Sequence, residues 1–178
     1  MNRGIPFLAV IIAAMSLLAV SCIEIEKLPP EPRIEFISFT VSDTTDILGN
    51  TGKAGKLKFY FEDGDGDIGL NESPTSTDES RNLFLTLYRK VEGVMTPALP
   101  GDPLLPTPYR IPYIERLGQN KIVKGEITVV LLYLDFSAED VIMYDFYIQD
   151  RAMHPSNVES TCEIAINSNG TCLAEENR

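Results

Sequence analysis

The chain has 178 residues, with 15 Lys+Arg against 26 Asp+Glu and a formal net charge of −11, a size that suits one domain. That charge argues against a nucleic-acid binder, whose target phosphates would repel it, and a hydrophobic content of 44% rules out wholesale disorder. A single histidine, His154, and no tryptophan remove the commonest catalytic base and the best sugar-stacking side chain.

Residues 1–21 read as a secretory signal peptide. Met1-Asn2-Arg3 carries one positive charge, Ile5 to Val20 is almost wholly apolar, and small residues precede Cys22. The apolar run falls short of the ~20 residues a spanning helix needs, and no later stretch matches it without charge. Leu18-Ala19-Val20-Ser21-Cys22 resembles a bacterial lipobox, which implies cleavage before Cys22 and lipidation of its thiol. A plain signal peptide cut nearby is the alternative. Acyl chains, at about 0.8 kcal/mol per buried CH₂, would make the anchor effectively permanent. By the same resemblance Ile23 implies the outer membrane, and Glu24 and Glu26 resemble acidic residues that send some Gram-negative lipoproteins to the cell surface. Residues 22–32, ending in Leu28-Pro29-Pro30-Glu31-Pro32, read as a lipid-anchored tether stiffened by proline.

From 33 to 167 the chain alternates with period two between turn residues, without a helical pattern. Ile34 to Val41 is a first strand. Lys56 to Phe61 places Leu57, Phe59 and Phe61 on one face, and Leu83 to Val91 repeats this with Leu83, Leu85 and Leu87. Ile122 to Leu134 presents Ile127, Val129, Leu131 and Tyr133; the next strand presents Ile142, Tyr144, Phe146 and Ile148. Val158, Ser160, Cys162, Ile164 and Ile166 share a face of the last. Asn71 to Ser80 is polar and reads as a loop. Pro97 to Pro112 holds six of the twelve prolines and so reads as a crossing connection with one doubtful edge strand near Tyr109 to Ile114. These elements predict an all-β, immunoglobulin-like antiparallel β-sandwich of about seven strands, followed by a C-terminal tail over 168–178. Asp140 to Phe146 resembles the approach to strand F of immunoglobulin domains, which makes Tyr144 either a tyrosine corner bonded to the preceding turn or an ordinary core aromatic.

Glu62-Asp63-Gly64-Asp65-Gly66-Asp67-Ile68-Gly69 follows the second strand directly. Three carboxylates at alternate positions repel one another, and glycines let the backbone gather them; Ca²⁺, which takes six to eight oxygens at about 2.3–2.6 Å, relieves that repulsion better than Mg²⁺. The loop is not an EF-hand, because Ile68 stands at the glycine position and Pro74 at the final glutamate position. In an immunoglobulin-like sandwich the loops after the second and sixth strands lie at one end. That places Asp150 and Asn157 near Asp63, Asp65 and Asp67 as a candidate metal set. The alternative is a solvated turn with Arg151 pairing a loop carboxylate.

FYFEDGDGDIG and IQDRAMHPSN resemble paired motifs of surface lipoproteins from Gram-negative gut-type bacteria that carry a bacterial Ig-like domain. Met153 and His154 stand where such modules usually have glycine and asparagine. The resemblance implies an extracytoplasmic module without established catalysis. With Cys22 acylated, Cys162 and Cys172 form an even pair, read as a disulfide against the alternative of a packed thiol at Cys162.

The expected function is therefore a non-catalytic outer-membrane or cell-surface lipoprotein, braced by a cation and serving binding or envelope assembly with a protein or glycan partner. One alternative is a glycan-binding accessory of a nutrient-uptake system, with Tyr109 and Tyr113 as its platform; proline neighbours equally suit these two to local packing. The other is a hydrolase using Asp65 and Asp67. It is disfavoured because an Asp-Gly repeat is a poor device for separating two carboxyl pKa values.

Overall fold

The structure, a computed structural model, describes residues 27–71, 81–115 and 121–175. The expected signal peptide, Cys22, Glu24 and Glu26 lie outside the described residues, as does most of the polar loop at 72–80. Among the described residues there are nine strands and no helix, so no helix is long and apolar enough to cross a membrane. The strands are β1 (Arg33–Thr45), β2 (Thr51–Asp63), β3 (Leu83–Val91), β4 (Val94–Pro97), β5 (Val123–Tyr133), β6 (Val141–Ile148), β7 (Glu159–Ser160), β8 (Ile164–Ala165) and β9 (Gly170–Leu173).

Two antiparallel sheets pack face to face, one ordered β5-β2-β1-β9 and the other β4-β3-β6-β7, with β8 also on β6. The first, second and fifth strands thus share one sheet and the third, sixth and seventh the other, which is the partition of an immunoglobulin-like sandwich. Period-two patterning drives this arrangement, since each strand has one apolar face to bury. Leu57, Phe59 and Phe61 of β2 face Ile142, Tyr144, Phe146 and Ile148 of β6, all buried. Phe59 and Phe146 meet across the interior with ring centroids 5.2 Å apart, within the range aromatic pairs favour. In β1 a bulge between Phe36 and Ser38 resets the alternation. Ile34 and Phe36 point inward before it and Phe39 and Val41 after it, so one extra residue keeps both halves of a long strand on the core.

Several expectations are corrected. The Pro97–Pro112 segment contributes no full edge strand. Tyr109 exchanges backbone hydrogen bonds with Leu83 (Tyr109 N to Leu83 O 2.8 Å, Leu83 N to Tyr109 O 3.0 Å) and Pro112 makes a second isolated bridge to Leu70. The prolines leave too few N–H donors for a continuous ladder. Arg89 pins this segment by reaching Asp102 at 2.8 Å and, on its other side, Asp140.

The last predicted strand is split. Thr161 is 3% exposed while Val158 is 60% exposed, so the face expected to run from Val158 to Ile166 slips at 161–163. Thr161 N donates to Tyr144 O at 2.8 Å, and Tyr144 N donates to Thr161 Oγ1 at 2.9 Å; a side-chain oxygen replaces a ladder acceptor and breaks the pleat. Beyond it, 170–173 is not tail but β9, antiparallel to β1 from Ser38 to Val41. Cys162 and Cys172 are disulfide-bonded, linking the β7–β8 connection of one sheet to β9 of the other. Tyr144 is not a tyrosine corner: its hydroxyl lies 3.1 Å from that of Tyr133 in the core, and burial pushes both phenols well above their ordinary pKa.

Candidate functional site

The inward phase of β2 runs Leu57, Phe59, Phe61 and then Asp63, which places a carboxylate where the pattern calls for a core residue. Asp63 is 1% exposed. The inward phase of β6 ends in the same way, with Asp150 following Ile148 at 2% exposed. Two strands from opposite sheets therefore each deliver a buried aspartate to one apex of the sandwich.

A buried carboxylate is costly unless hydrogen-bonded, and each finds donors in the loop it begins. Asp63 Oδ1 accepts from Gly66 N at 3.2 Å, and its Oδ2 accepts from Ile68 N at 2.8 Å. These bonds curl the chain so that Ile68 returns to the core, fully buried. Asp150 accepts from His154 N at 2.7 Å and lies 2.9 Å from His154 Nδ1. The hydrogen bond and charge of Asp150 hold the His154 imidazolium above its ordinary pKa.

Curling the first loop gathers Asp63, Asp65 and Asp67 so that one carboxylate oxygen from each lies within 4.8 Å of the others. The electrostatics register the crowding. Burial, partly offset by the Gly66 and Ile68 amides, raises the Asp63 carboxyl to about 6, and the neighbouring Asp65 charge adds to the rise. Asp67 is raised too, by burial first and then by the charges of Asp150 and Asp65, with Arg151 and the Ala152 amide opposing. Its Oδ1 is buried and accepts no hydrogen bond. Two alternate-position carboxylates, a third at the strand end and an unfilled acceptor make a donor set of hard oxygens, which fits Ca²⁺.

The second loop packs onto the first. Arg151 N donates to Asp67 O at 3.4 Å, and the Arg151 guanidinium donates to Gly69 O at 3.0 Å and Ile68 O at 3.4 Å. Arg151 therefore braces the loop through its carbonyls. Met153 makes the turn back with φ 71°, a left-handed conformation that favours glycine. The segment preceding β1 also reaches this apex. Gly64 N donates to Pro29 O at 3.1 Å, and a Cβ on Gly64 would lie 2.2 Å from that oxygen, so only glycine admits the close approach.

The five residues read as a metal set thus separate. Asp63, Asp65 and Asp67 converge, and Asp150 lies beside them, within electrostatic reach of Asp67 but committed to His154. Asn157 goes elsewhere: its Oδ1 accepts from Ile34 N and its Nδ2 donates to Ile34 O, both at 2.9 Å. It copies a strand partner for β1, and its Nδ2 also donates to Glu159 Oε1 at 2.9 Å. Tyr109 and Tyr113 do not offer two open ring faces. Tyr109 packs against the core, and the Arg151 guanidinium carbon sits 5.0 Å from the Tyr113 ring centroid, a cation–π contact. Neither a family model, nor a curated protein, nor a solved structure matches the chain.

Proposed function

We propose that this chain is a lipid-anchored, non-catalytic module of the outer membrane or cell surface, whose immunoglobulin-like domain is braced at one apex by Ca²⁺ and serves binding or envelope assembly. The observation that carries the reading is the convergence of Asp63, Asp65 and Asp67 carboxylate oxygens within 4.8 Å. Asp63 and Asp65 would supply ligands from the β2 end and the first turn, and Asp67, with its unfilled Oδ1, would close the site. Bound there, the cation supplies charge that cancels the repulsion among these carboxylates, and it fixes the loop that holds Pro29.

The position of the site agrees with a structural role. Cys22 precedes Leu28 by six residues, a reach of at most about 20 Å when fully extended. If Cys22 carries the lipid, the braced apex stands beside the membrane, and the cation stiffens the joint between anchor and domain. No histidine-activated nucleophile is assembled at this apex among the described residues. His154, the sole histidine, is held by Asp150, and no nucleophile is hydrogen-bonded to it among the described residues.

Two experiments test the two halves of the proposal. Metal-stripped protein titrated with CaCl₂ is expected to bind one ion by calorimetry and to melt at higher temperature, by about 2.7 kcal/mol of added stability at a hundredfold excess over Kd. MgCl₂ should do markedly less, and Asp65→Asn and Asp67→Asn should abolish the heat. Melting that is indifferent to calcium and to chelator would refute the brace. Incorporation of labelled palmitate in a Gram-negative host, lost on Cys22→Ser, tests the anchor; no incorporation into the wild type refutes it.

A further inference from the structure

Beside the acidic loop, and separate from its carboxylates, lies a cleft of about 500 Å³. That size is typical of small-ligand sites. Leu70, Phe84 and Met153 supply its apolar wall. Phe84 is held rigid by stacking on Tyr147, with centroids 5.0 Å apart and planes 18° apart. Met153 is 67% exposed, a large apolar side chain left in water at the cleft mouth by a strained turn.

Asn82 also lines the cleft, and its chemistry is incomplete. It is 2% exposed. Its Oδ1 accepts from Ile111 N at 2.7 Å, which fixes the amide orientation and turns Nδ2 the other way. That Nδ2 is buried and donates to nothing, an arrangement rare in folded proteins and worth an explanation. The remaining polar lining is dominated by donors. Arg81 and Arg151 contribute guanidinium groups, Arg151 also donating to Ile68 O and Gly69 O, and the one carboxylate there, Asp150, accepts from His154 N and lies within hydrogen-bond distance of the His154 ring.

We propose that this cleft binds a small carboxylate with an aromatic or branched aliphatic body. The carboxylate would accept from Asn82 Nδ2 within the field of the two guanidiniums, and the body would cover Leu70, Phe84 and Met153. The site's donors are amide and guanidinium nitrogens and none of the acidic loop's carboxylates lines it, although Arg151 also braces that loop through the Ile68 and Gly69 carbonyls.

The test uses ¹⁵N- and methyl-labelled domain titrated with 3-phenylpropanoate, indole-3-acetate and 4-methylpentanoate, in parallel with 3-phenylpropanamide, once with CaCl₂ and once after metal removal. For a ligand of this size a Kd near or below about 1 mM is expected. At least one acid should shift the Asn82 side-chain amide together with Leu70 and Met153 signals in both metal conditions, and the neutral amide should bind more weakly. Asn82→Asp keeps the acceptor for Ile111 N but replaces the donor with a charge, and should weaken binding by about tenfold or more. Met153→Gly keeps the left-handed turn while deleting the apolar wall, and should weaken binding in a protein that folds normally. Absence of shifts for all three acids up to about 10 mM, shifts that map elsewhere, or undiminished affinity in both variants would overturn the proposal. Binding that persists without calcium binding would leave this inference standing and remove the cation brace.

Discussion

Removing the proposed cation should invert the pH dependence of stability, and Asp63 sets the size of the effect. Its carboxyl stands at about 6 in the fold against an ordinary 3.8. A group raised on folding contributes stability that is complete below the unfolded value and is lost as pH climbs through the folded one. Between pH 5 and pH 7.5 that loss amounts to about 1.4 kcal/mol for these two values, or about 1 kcal/mol once solvent screening at a loop is allowed for. Metal-stripped protein should therefore melt about 2–5 °C higher at pH 5 than at pH 7.5. Asp67 and His154 are also raised, so both add in the same direction. Asp43, Asp46 and Asp140 are held low, and their contributions are lost only as pH falls below the range tested. With saturating calcium the order reverses, because the ion requires deprotonated carboxylates. The assay is thermal unfolding at both pH values, with and without CaCl₂, on wild type, Asp63→Asn and His154→Gln. Metal-free protein that melts higher at pH 7.5, or an unchanged pH dependence in Asp63→Asn, would refute the assignment.

Other outcomes follow from single contacts. Reducing the Cys162–Cys172 bridge, or replacing both residues by serine, should cost about 3 kcal/mol on a loop-entropy basis, with hydrogen exchange rising first in β9 where it leaves β1. Asn157→Ala should cost about 1–2 kcal/mol in denaturant unfolding, since Ile34 N and O lose their partner; calcium affinity should stay unchanged, because Asn157 serves β1 and not the loop. Tyr144→Phe alone should cost about 1 kcal/mol by orphaning the Tyr133 hydroxyl, whereas the Tyr133→Phe, Tyr144→Phe double variant should cost less than the sum. Titration of His154 by NMR should give a pKa above 6.5, falling back toward that value in Asp150→Asn.

Strand phase was readable from the chain because burial imposes period two on every strand with one covered face. Counting on from Leu57 and from Ile142 puts Asp63 and Asp150 on the inward side without any coordinates. That count explains why carboxylates from distant parts of the chain arrive at one apex. What the pattern conceals are contacts made by side chains that imitate backbone. Thr161 replaces a ladder acceptor for Tyr144 and shifts the following residues out of phase, and nothing in the local run of residues announces that slip. Asn157 looked like a ligand because the connection after β6 shares an end of the sandwich with the acidic loop, yet its amide matches the N–H and C=O of Ile34 in one reciprocal pair. The cleft beside Asn82 was invisible for a similar reason, since its walls come from three separated segments. A short strand such as β9 carries too few residues to display alternation, and only its pairing with β1 and the cysteine link define it.

A calcium ion among three aspartates is the central structural claim, and anomalous diffraction from crystals grown in calcium or exchanged with terbium addresses that claim most directly. It predicts a single strong peak bounded by Asp63, Asp65 and Asp67, with carboxylate oxygens at about 2.3–2.6 Å for calcium. An ordered loop with no peak, or a basic side chain filling the space between those carboxylates, would contradict it.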